Sequence, residues 1–175
     1  MNNPSESADS APNPLVVASG TASPTELHAM RVAISEAVAA ATHGDVPVGA
    51  VVLINGEIVA QRHNERELTG DPTAHAEILA LRDAAKKVRS WRLEDATLVV
   101  TLEPCPMCAG ALVNARVGKV IFGASDLKAG ACGSLYNLGA DARLNHEFAV
   151  VPGVESETCV RLLTDFFAER RSAAR

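Results

Sequence analysis

The chain is poor in aromatic residues, in basic charge and in long apolar runs. Its 175 residues include one Trp, one Tyr and four Phe, and 16 Lys and Arg stand against 21 Asp and Glu, a formal net charge of −5. That balance excludes coating of long duplex nucleic acid by bulk charge, which needs a strong basic excess. A local patch can still hold one small nucleic-acid element. No run approaches the roughly 18 apolar residues of a membrane span. The first basic residue is Arg31, so neither a secretory signal nor an Arg-rich transit peptide is expected. The four cysteines, Cys105, Cys108, Cys132 and Cys159, are then expected as reduced thiols in the cytoplasm. What the chain does have is 47% apolar residues. That is too many for chain-wide disorder and enough, at this length, for one core without covalent staples.

Residues 1–22 are mostly Asn, Pro, Ser, Ala and Gly with Glu6 and Asp9, broken by the short apolar run Leu15–Ala18, and read as a disordered tail. One domain over 23–171 and a short tail at 172–175 complete the chain. The domain opens with Ser23-Pro24-Thr25-Glu26, a capping box with proline at the first helical position. Apolar residues at Leu27, Met30, Ile34, Ala37, Val38 and Ala41 predict a helix to about Thr42. Strands are expected at 48–53 and 58–61 around Asn55-Gly56, a hairpin signal because both residues tolerate positive φ. Thr73 is placed to cap a second helix that buries Ile78, Leu79, Leu81, Ala84, Ala85 and Val88. A strand at 96–101, a helix at 106–115 and a strand at 119–122 suggest parallel pairing through a crossover. A fifth strand at 148–151 and a last helix at 157–171, burying Val160, Leu163, Phe166 and Phe167, follow. The fold class is α/β, a three-layer α/β/α sandwich with a central mixed sheet of about five strands.

Two segments carry chemistry, His75-Ala76-Glu77 and Pro104-Cys105-Pro106-Met107-Cys108. Two cysteines three apart at the start of a helix can aim both sulfurs at one ion, and a reducing compartment favours zinc thiolates. With His75 they make three ligands and leave a tetrahedral corner open for water, as a catalytic zinc requires. Helix N-termini would stabilise the negative charge there. Glu77 is near enough to move protons without ligating the metal. A competing reading closes the site with Cys132 or Cys159 as a fourth, structural ligand, although Cys159 looks like core.

The pattern H-A-E followed by P-C-x-x-C resembles the signature of the zinc-dependent nucleobase deaminases. Longer segments are similar to the bacterial tRNA-specific adenosine deaminases: Val46-Pro47-Val48-Gly49-Ala50, Asp71-Pro72-Thr73-Ala74-His75-Ala76-Glu77, residues 101–111, Phe122-Gly123-Ala124, residues 128–135, Asn145-His146 and residues 165–171. The resemblance spans about residues 25–171. It implies a cytidine deaminase-like fold, a homodimer, and hydrolytic conversion of adenosine 34 to inosine at the wobble position of an arginine tRNA with anticodon ACG. Carried over residue by residue, it implies one zinc per chain on His75, Cys105 and Cys108, with Glu77 as proton shuttle. Asn64 would hydrogen-bond the purine and the Ala76 amide would hold the flipped base. Asp126 and Lys128 would fall at the anticodon stem-loop, and Arg170 and Arg171, in a basic C-terminal cluster, are further RNA-contact candidates. The shared zinc motif alone also fits a deaminase of a free nucleobase or nucleotide of cytosine, guanine or dCMP type. A zinc-stabilised binding module without catalysis is the third reading. Asp71-Pro72-Thr73, the 128–135 segment and Asn145-His146 favour tRNA.

Overall fold

The computed structural model describes residues 21–173, so the expected N-terminal tail, apart from its last two residues, lies outside them. Five strands, β1 (Gly49–Ile54), β2 (Glu57–His63), β3 (Ala96–Leu102), β4 (Lys119–Ala124) and β5 (Ala149–Val151), form one sheet in the order β2-β1-β3-β4-β5. The β1–β2 hairpin turns at Asn55 and Gly56, with φ of 52° and 79°, the conformation that Asn-Gly tolerates best. β1 also pairs antiparallel with β3, whereas β3–β4 and β4–β5 are parallel. The register of β1 on β2 shifts between Val52 and Leu53.

Helices cover both faces. Alternate strand residues (Ala50, Val52, Leu98, Val100, Val120) meet α3 (Ala76–Val88) and α4 (Pro106–Ala115) in one core cluster. The residues between them, Val51, Leu53, Val99 and Ile121, meet α1 (Pro24–Thr42) and α5 (Ser156–Ala173) in another. The expected three-layer sandwich with a mixed five-stranded sheet is present. α4 is the crossover that makes β3 and β4 parallel, and its limits match the prediction from sequence.

Three expectations are corrected. α1 buries Ala29, Met30, Ala33, Ala37 and Ala40, while Val38 is 49% exposed. The helix rides so close to β1 that a Cβ on Gly49 would lie 2.6 Å from the Ala37 amide, and only small side chains fit between. In α5 Phe166 is buried, but Val160 and Phe167 are exposed. α3 starts at Ala76 with His75, not Thr73, as N-cap. The Thr73 hydroxyl and amide instead donate to Asp71 Oδ1, both at 2.7 Å. A four-residue helix α2 (Arg66–Thr69) and a 3₁₀ turn at Leu138–Ala140 are too short to show a period in sequence.

Candidate metal and active site

β3 ends at Leu102 and the chain turns directly into α4, so Cys105 is the N-cap of α4 and Cys108 lies in its first turn. His75 is the N-cap of α3, and neither N-cap side chain caps its own helix. All three are turned towards each other. His75 Nδ1 lies 3.7 Å from Cys105 Sγ and 3.6 Å from Cys108 Sγ, and the three donor atoms fall within 4.8 Å of one another. The hydrogen bond from Cys108, aided by His75 against the opposing effect of burial, holds the Cys105 thiol down to about 4. The same bond with Cys105, together with burial, pushes Cys108 up. The Cys105 bond raises His75 as well. An imidazole and two sulfurs that share protons at this spacing are a donor set that a borderline-soft divalent cation occupies by displacing those protons.

A fourth sulfur is not part of this group among the described residues. Cys159 is in the opposite core cluster, where a Cβ on Gly123 would lie 2.9 Å from its Cβ. Cys132 is buried, and burial followed by the charge of Glu103 pushes its thiol up to about 12. Among the described residues the donor group therefore has three members, one fewer than a closed structural site needs.

Beside it lies a cavity of about 220 Å³ whose lining includes His75, Ala76, Glu77, Cys105 and Asn64. Glu77 is 4% exposed and outside the donor group, and burial pushes its carboxyl up against the pull of its own backbone amide and of His75. Ala76 begins α3, where backbone N–H groups have no intrahelical acceptor. Asn64 follows β2 with its amide bonded to Val48 O at 2.9 Å. Its side-chain Nδ2 donates to Val46 O at 3.2 Å, while its buried Oδ1 has no partner among the described residues. A buried acceptor left unpaired costs free energy until a donor meets it. A water or a ligand in the cavity can supply that donor.

Asp126 also lines the cavity, but its Oδ1 accepts from the Lys128 and Ala129 amides at 2.8 and 3.1 Å, so it braces its own turn. Lys128 is exposed and lies outside that cavity. With Leu163, Thr164, Phe167 and Arg171 it borders a second depression of about 400 Å³, which brings together two of the basic residues that the sequence points to. Arg170 stacks its guanidinium 5.1 Å from the Phe166 ring centroid. Two further residues that the sequence does not point to, Arg66 and Glu103, also line the cavity. Arg66 belongs to the short helix that periodicity misses. Glu103 directly follows β3, and no pattern in the sequence marks it.

The MafB19-like deaminase family matches this chain over residues 25–171. The tRNA-specific adenosine deaminase of Bacillus subtilis (strain 168) is 54% identical over 142 residues, 81% of this chain and 88% of its own length. That of Haemophilus influenzae is 46% identical over 143 residues, covering 81% and 83% of the two chains. A solved structure from work on A-to-I editing by tRNA:A34 deaminases at the wobble position aligns with a TM-score of 0.75 at 37% identity. It covers 78% of this chain and 99% of that one.

Proposed function

Because the chain belongs to the MafB19-like deaminase family, we infer that it is a hydrolytic deaminase that converts adenosine to inosine at the wobble position of tRNA, the activity named for its relatives. The observation that carries this reading is the pairing of a three-donor metal group with a buried, non-ligating Glu77 on one small cavity. Arginine tRNA with anticodon ACG is the proposed substrate.

His75, Cys105 and Cys108 would hold one zinc per chain. When bound, zinc supplies Lewis acidity that lowers the pKa of water from 15.7 towards about 7. Glu77 takes a proton from the attacking water and delivers it to N1 of adenine, which makes C6 electrophilic. The water oxygen bonds to C6, and Glu77 takes the second proton from that C6 hydroxyl and delivers it to the amine as the C6–N bond breaks, so that adenosine and water become inosine and ammonia. Burial suits it to this, since a carboxyl pushed up from its ordinary value accepts a proton more readily. The free Oδ1 of Asn64 accepts a hydrogen bond from the purine, and the Ala76 amide donates to it. A nucleobase must leave its stack to enter so small a cavity, and an anticodon loop, already unpaired, makes that cheap. Lys128, Arg170 and Arg171 are the proposed phosphate contacts, and Asp126 the brace that presents Lys128.

Among the described residues no helix is long and apolar enough to cross a membrane, and we place the enzyme with its tRNA in the cytoplasm. We also propose two copies per assembly. A groove of about 450 Å³ along α3 and α4, lined by Ile78, Leu81, Ala111 and the 59%-exposed Trp91, supports that proposal.

The test is incubation of the zinc-loaded protein with the ACG stem-loop and, separately, with free adenosine, cytosine and guanine. Inosine at the wobble base, with negligible turnover of the free compounds, is the expected result. Efficient turnover of cytosine or guanine with an untouched stem-loop would replace this reading with a small-molecule deaminase.

A further inference from the structure

Glu103 is 2% exposed and stands between β3 and the Pro104-Cys105 turn. Its Oε1 accepts from the amides of Cys132 at 3.0 Å and Ser134 at 2.9 Å. Its Oε2 accepts from the amide of Asp126 at 3.0 Å and from the Ser134 hydroxyl. One buried side chain thus collects donors from both ends of the 126–134 segment, which is neither helix nor strand. The segment folds tightly onto it. A Cβ on Gly130 would collide with the Glu103 carboxylate and lie 2.6 Å from Asp126 O, and the Ala131 amide reaches back to Pro104 O at 2.8 Å. The same segment puts Asp126 and Ala129 on the cavity and Lys128 on the outer depression.

We propose that Glu103 is a positioning residue for substrate recognition, holding the 126–134 segment in the one shape that presents its cavity wall and Lys128 to the RNA. The identity of the substrate rests on the tRNA reading given above, while the positioning itself rests on the hydrogen bonds. Only a side chain with two acceptor oxygens satisfies donors converging from both sides. A glutamine would face one set of them with its own NH₂, and the buried donors so opposed would lose their partner. The segment would then open while α3 and α4, built on regular elements, keep the metal donors and Glu77 in place.

The test compares zinc-loaded, full-length wild type with Glu103→Gln and Ser134→Ala, using metal content, amide hydrogen exchange and kinetics on the stem-loop at fixed salt. Glu103→Gln should retain one zinc per chain, with the amides of Asp126, Cys132 and Ser134 exchanging about tenfold faster or more. KM should rise about tenfold with kcat within about threefold of wild type. Ser134→Ala leaves the carboxylate intact and should move KM the same way by about two- to threefold. It carries the test by the same readouts if the glutamine variant does not fold. In a Lys128→Ala background the KM effect of Glu103→Gln should shrink to less than half its factor, because the residue it positions is gone. A fall in kcat at unchanged KM, or an undiminished effect in that background, overturns the proposal. Unchanged exchange of the three amides overturns it whatever the substrate. A wild-type enzyme inactive on the stem-loop instead counts against the tRNA reading alone.

Discussion

Two walls of the same cavity are built in opposite ways. The first is the paired start of α3 and α4, where His75 and Glu77 on one helix and Cys105 and Cys108 on the other are each set by local helix geometry. The second is the 126–134 segment, which is neither helix nor strand and, beyond its own turns, is anchored to one carboxylate belonging to another part of the chain. Groups that must meet to within a fraction of an ångström sit on rigid elements, where effective concentration is high. The groups proposed to meet a flexible RNA sit on a segment that can be reshaped without disturbing the chemistry. The lesson is a division of labour: damage to the first wall should appear in kcat and metal content, and damage to the second in binding.

The most severe way to break the first wall is Cys105→Ser. Zinc retention should fall beyond detection in a metal assay, with deamination abolished and stability reduced by about 2 kcal/mol or more in denaturant titration, because ligands on two helices are tied through the ion. Glu77→Ala removes no ligand. It should keep one zinc per chain and near-normal affinity for the stem-loop while kcat drops by about 10²- to 10⁴-fold, and near-normal turnover would disprove its assigned role.

On the other side, neutralising Lys128, Arg170 and Arg171 together should leave metal content unchanged. Stem-loop affinity should fall about tenfold, and the slope of log affinity against log salt should flatten by about two. A filter-binding series from low to moderate salt reads both. The smallest effect belongs to a residue that touches neither wall. Glu26 closes the capping box of α1 with Ser23 and pairs with Lys119 at the start of β4. Burial alone would raise its carboxyl, but Lys119 and Ser23 together hold it below its ordinary 4.5. Glu26→Gln should cost about 0.5–1 kcal/mol at neutral pH, discounted for partial solvation, with kcat and KM unchanged. A carboxyl held low by folding contributes above its unfolded pKa and loses that contribution as pH falls through its folded value. The gap between variant and wild type should therefore close in acid.

The same division separates what is legible in the sequence from what is not. His75-x-Glu77 and Cys105-x-x-Cys108 are local patterns at helix starts, so spacing alone exposes them, and the helix 106–115 is legible to the residue. Glu103 is not, because its partners lie 23 to 31 positions away in a segment without periodicity. The displaced start of α3 has a chemical cause. Thr73 is a good cap by type, yet the N-cap position goes to His75, whose ring is committed to the two sulfurs. The inward face of α1 escapes pattern reading for a steric reason. Periodicity finds Met30 and Ala37 but also favours Ile34 and Val38, whereas close approach to Gly49 brings Ala33 inward beside Ala37. Packing distance, which no single sequence window contains, decides between them.

The outer strands of the sheet have a consequence for self-association. An unpaired strand edge is a template on which another chain can build, and proteins blunt it with brevity, charge and irregular register. Here β5 is three residues long. At the opposite edge β2 carries Glu57, Arg62 and His63, and its register on β1 is interrupted. Neither margin invites strand addition or the runaway stacking that leads to fibrils. The proposed contact between copies would fall instead to helical surfaces, where side chains rather than backbone decide what binds, and where an assembly can close at a finite size.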